Sequence, residues 1–200
     1  TGGTKVEVSD ATVTINDANA TAITAAELSA IGGATTGTVT VTNAIGITGD
    51  HDQVTAALVT GGTKVEVSDA TVTINDADAT AITAAELSAI GGATTGTVTV
   101  TNAAAITGTT AEVTAALVTA GTMVEVTDVT VNITDASTVS ELNAIAAATT
   151  GVVTGSVTAT GDALGALSTS STDAITITVS DDVNISELKA LNGKTSLTPS

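Results

Sequence analysis

Short runs in which threonine alternates with valine or isoleucine recur along the chain. Thr12-Val13-Thr14-Ile15, Thr38-Val39-Thr40-Val41, Thr71-Val72-Thr73-Ile74 and Thr97-Val98-Thr99-Val100 are the clearest. A period of two is the mark of a strand with one buried face, and β-branched residues suit a pleated surface. Between these runs lies another pattern, as in Ala25-Ala26-Glu27-Leu28-Ser29-Ala30-Ile31, followed by Gly32-Gly33. Leu28 and Ile31 are spaced to face a core from a short helix. Thr24-Ala25-Ala26-Glu27 has the form of a capping box, in which Thr and Glu satisfy free backbone N–H groups. The same start is predicted at Thr83–Glu86, Thr109–Glu112, Thr138–Glu141 and Asn184–Glu187, with Asp50–Gln53 as a variant. Gly32 is expected to end its helix in a left-handed conformation.

Self-comparison organises these elements. Residues 1–44 match residues 60–103 at every position except Asn19, which becomes Asp78. The array divides into units 1–59, 60–118, a diverged 119–181 and a partial 182–200. The diverged copy drops about four residues after Asp135. By pattern each unit splits again into coils, at 4–37, 38–62, 63–96, 97–121, 122–151, 152–171 and 172–196. Helices of about eight residues are marginal alone in water, so they need neighbours to lie on. The expected fold is therefore a β/α solenoid: stacked coils of one or two short strands plus a short helix, right-handed and elongated. A row of small β-sandwiches fits two helices per unit poorly. Thr1 falls within a repeat, which suggests a segment of a longer chain.

Composition narrows the function. The 200 residues include no aromatic residue and no cysteine, and the net charge is −17 with four lysines and no arginine. The core must be thin and aliphatic, although a 42% hydrophobic content is too high for disorder. Nucleic-acid binding lacks its clustered cations, and no apolar run is long enough for a membrane span. Without cysteine, disulfide scaffolds and thiolate metal sites are excluded.

Candidate chemistry concentrates at the corners. By the coil alignment, Asp10, Asn43, Asp69, Asn102 and Asp128 form one column. Its structural reading is an Asp/Asn hydrogen-bonded ladder that fixes register. Its functional reading is Ca²⁺ held between coils, with Asp17, Asp76 and Asp135 on the next corner as further oxygen ligands. The ladder is favoured, and no other cofactor is implied. Thr38, Thr40 and Thr42, with Thr97, Thr99 and Thr101, make T-x-T rows, which Lys5, Glu7 and Ser9 of the alternate coils interrupt. His51 is the single histidine. It is expected to be exposed and to lack the nucleophile and orienting group of a catalytic base. No enzyme motif occurs.

The strings VSELNAIAAATTGVV (139–153) and ISELKALNGKTS (185–196), set between TVT-type strands, resemble tandem repeats of giant cell-surface or secreted proteins of marine cyanobacteria and other marine bacteria. That resemblance implies an extracellular structural segment of a stalk, fibre or adhesin, and carries over no site residues. Expected partners are neighbouring repeats of the same chain and, alternatively, further copies in a homo-oligomer or self-assembling filament. A calcium-stabilised adhesive module is the other alternative.

Overall fold

The computed structural model describes residues 9–122 and 124–197. Lys5, Val6, Glu7 and Val8 lie outside them. In chain order the elements are β1 (Val13–Ile15), β2 (Ala22–Thr24), α1 (Ala25–Gly32), β3 (Val39–Val41), β4 (Gly46–Gly49) and α2 (His51–Leu58). The second unit gives β5 (Thr71–Ile74), β6 (Ala81–Thr83), α3 (Ala84–Gly91), β7 (Val98–Val100), β8 (Ala105–Gly108) and α4 (Thr110–Leu117). Then follow β9 (Thr130–Ser137), α5 (Val139–Ala148), β10 (Val153–Ala159), α6 (Gly161–Leu164), β11 (Ala174–Val179) and α7 (Ile185–Leu191).

Alternation does what the pattern requires. On β5, Val72 and Ile74 are buried while Thr71 is exposed and Thr73 half-buried. Leu28, Leu87 and Leu142, each one residue past its capping glutamate, are fully buried, and so are Val54 and Val113 on α2 and α4. A buried leucine contributes roughly 1.5–3 kcal/mol, so a core of aliphatic side chains alone can hold short helices in place. Capping boxes close at Thr24–Glu27, Thr83–Glu86, Thr109–Glu112, Thr138–Glu141 and Asn184–Glu187. At α2, Asp50 accepts from the Gln53 N–H.

The expected solenoid of stacked short coils is corrected here. The described residues form a mixed α/β fold with three parallel sheets and seven helices. The sheets are β1-β3, β2-β4-β5-β7 and β6-β8-β9-β10-β11. Paired residues lie 24 to 26 apart in the first two units, as in Val13 with Val39, Ala22 with Gly46 and Gly46 with Thr71. They lie 20 to 22 apart later, as in Thr154 with Ala174 and Val131 with Val153. Corresponding strands keep corresponding partners, β1-β3 matching β5-β7 and β2-β4 matching β6-β8, and the sheets part where the two strands of one unit join different neighbours. β4 pairs with β5, and β5 pairs on its other side with β7. β6 starts a separate sheet by pairing with β8.

The residue that turns the chain from β5 towards β6 is Ala79, at φ 61°, matched by Ala20 at φ 62° in the first unit. Left-handed alanine is uncommon and costly. The four residues lost from the third copy include the counterpart of this alanine, and there the two strands merge into the single eight-residue β9.

The glycine expectation is also corrected. Among the described residues no glycine has positive φ, and α1 continues through Gly32 to a cap at Gly33 with φ −72°. Gly32 and Gly91 serve close approach instead: a Cβ would lie 2.0 Å from the Thr63 carbonyl oxygen and 2.1 Å from that of Thr122.

Two substitutions follow with opposite signs. Ala79→Gly relieves the left-handed alanine and should raise unfolding free energy by about 0.5–1 kcal/mol in denaturant titration. Gly91→Ala should lower it by about 1–3 kcal/mol, the usual range for overpacking, because the obstructing atom is backbone.

Candidate functional site

The first N–H groups of a helix have no partner within it and attract negative charge. Three helices here meet that need with an acid from a later part of the chain. Asp76 Oδ2 accepts from the His51 N–H at 2.8 Å, and its Oδ1 lies 2.7 Å from His51 Nδ1. Asp135 Oδ1 accepts from the Thr110 N–H at 2.6 Å and from the Thr110 hydroxyl at 2.8 Å. Asp181 Oδ1 accepts from the Gly161 N–H at 2.8 Å. His51, Thr110 and Gly161 are the opening residues of α2, α4 and α6. Each helix therefore has a local cap (Asp50, Thr109 or Thr160) and a remote acid, and the remote acid ties two chain segments together.

His51 is not the exposed histidine expected: its side chain is 13% accessible and that of Asp76 5%. Burial pulls its pKa down, but the hydrogen bond to Asp76 and the charges of Asp76, Asp52 and Glu86 outweigh it. The imidazole pKa is raised above 6.5. Hydrogen bonds from the backbone and side chain of Thr110 hold Asp135 below the usual carboxylate value. The capping hydroxyls of Thr24, Thr83 and Thr138 do the same for Glu27, Glu86 and Glu141.

Hydroxyl groups supply a second kind of tie. The Thr35, Thr94, Thr149 and Thr195 hydroxyls donate to the carbonyls of Ala11, Ala70, Val129 and Ile175. Behind three of them stands a glycine, Gly37, Gly96 or Gly151, whose Cβ would run into the same stretch of backbone. Ala-Thr-Thr-Gly, at 34–37, 93–96 and 148–151, is therefore a docking motif.

Of the residues singled out in sequence, Asp10, Asp69, Asp128 and Asp17 are exposed. Asp10 and Asp69 accept from the hydroxyls of Ser9 and Ser68. The Asn43 side-chain amide donates to the Asp17 carbonyl and that of Asn102 to the Asp76 carbonyl, both at 2.6 Å. The structure thus brings Asn43 and Asn102 to the corner of Asp17 and Asp76. Asp76 and Asp135 point their carboxylates at α2 and α4. Among the described residues, no three His, Cys, Asp or Glu side chains gather into a group that could hold a metal ion. Thr40 pairs with Thr14 and with Glu66, and Thr99 with Thr73 and Glu125, so a glutamate follows each threonine pair.

The remote acids were missed because the signal is a spacing between distant segments of the chain. Asp76 follows His51, and Asp135 follows Thr110, by 25 residues, close to the interval at which strands pair. Without that register, the aspartates read as corner residues.

No protein-family profile, curated protein or solved structure matches the chain. Among the described residues no helix is long and apolar enough to cross a membrane.

Removing the Asp76 carboxylate should leave the buried start of α2 without its acceptor. Asp76→Ala is expected to destabilise the protein by about 1–3 kcal/mol, measured by urea unfolding. Asp76→Asn, which keeps one acceptor oxygen, should cost less.

Proposed function

We propose that this chain is a structural repeat segment of an extracellular surface protein, with a role as stalk, fibre or adhesin spacer and no catalysis of its own. The observation that carries the reading is the near-identity of residues 1–44 and 60–103. A catalytic site needs one polar cluster unlike the rest, whereas repetition multiplies one mechanical unit. The hydrogen bonding supports this reading. The corner asparagines, the Ala-Thr-Thr-Gly threonines and the acids Asp76, Asp135 and Asp181 bond to other segments of the same chain. A net charge of −17 favours solubility and keeps copies apart in solution.

A spacer must resist extension. Stretched between handles in an optical trap, the chain should yield in steps, each 59-residue unit releasing roughly 200 Å of contour. Smooth lengthening at negligible force would sink the mechanical reading. Antibody against the chain should label intact source cells, and labelling only after permeabilisation would sink the extracellular one.

A further inference from the structure

His51 stands where the two nearly identical units differ most in chemistry. Its counterpart is Thr110, and both residues are gripped at the same two points, backbone N–H and side chain, by an aspartate 25 residues later. One grip contains a titratable group on the helix side and the other does not. The chain thus carries its own control.

We propose that His51 and Asp76 form a proton-dependent latch that fastens the start of α2 to the segment after β5, while the Thr110–Asp135 latch of the next unit is insensitive to the same protonation. Among the described residues, the charges that act on His51 are all negative. From its own helix come Asp52, with Oδ1 at 3.6 Å from Nε2, and the capping Asp50. From the segment after β5 comes Asp76, and from α3 comes Glu86. On α1, the other helix beside α2, Glu27 is engaged with its own Thr24. The strand β4 beneath, Gly46–Gly49, contributes no charge.

With the proton on, both ring nitrogens are donors, and the bond to Asp76 joins two ions. With it off, the imidazole keeps one N–H, and a bond with only one charged partner is weaker. Because the folded-state pKa is raised, the stabilisation is complete below the unfolded value near 6.5 and disappears as pH rises through the folded value. The latch therefore tightens in mild acid and slackens towards alkaline pH.

Hydrogen exchange on the full chain tests this. Between pH 5.5 and 8.5, after correction for intrinsic exchange, protection of the α2 amides relative to the α4 amides should fall severalfold. The fall should follow the titration of the single imidazole seen by NMR. A ratio that stays flat through that titration overturns the latch. The variant His51→Thr copies the residue the second unit already uses, so it should fold, keep α2 protected and lose the pH dependence. A pH dependence that survives in His51→Thr overturns the assignment to His51.

Discussion

The fold rests on one constraint: no segment of this chain can satisfy its backbone or bury its apolar side alone, and each is completed by a segment some 20 to 26 residues away. The strands are mostly three or four residues long and parallel. Parallel strands cannot be joined by a tight hairpin, so every pair needs an intervening crossover. The short helices are those crossovers. They depend on the strands for an apolar bed, and the strands depend on them for a buried face.

That mutual need explains why so much polar chemistry points inward along the chain. Small hydroxyls and amides of Thr and Asn reach backbone carbonyls of neighbouring segments, and carboxylates reach helix starts. Buried polar groups must be paired, and the cost of leaving one open exceeds the gain from making the bond. A core without aromatic side chains gains specificity from such ties, because its aliphatic contacts are alike at every level.

Much of this was legible from residues. Strand alternation and the five capping boxes follow from local rules that involve three or four consecutive positions. The partition into three sheets was not legible, since it depends on which strand meets which partner after the left-handed turn at Ala79. An alanine carries no signal for that conformation, where glycine or asparagine would. Gly32 misled in the opposite way: a glycine after a helical pattern suggests a left-handed stop, but it is required by the Thr63 carbonyl, 31 residues further on. His51 reads as a surface residue until the segment carrying Asp76 is laid beside it.

Near-identity of two units in one chain also has a kinetic side. A strand such as β5 could find β8 as readily as β4 during folding, since both present the sequence Ile-Thr-Gly, and large proteins misassemble by such exchanges. The two units differ at seven positions, and several lie where one segment meets the next: Gly46 against Ala105, Asp50-His51 against Thr109-Thr110, and Asn19 against Asp78, whose carboxylate accepts from the Ala103 N–H. These small departures act as address labels, giving each segment a preferred neighbour in a chain that otherwise repeats itself.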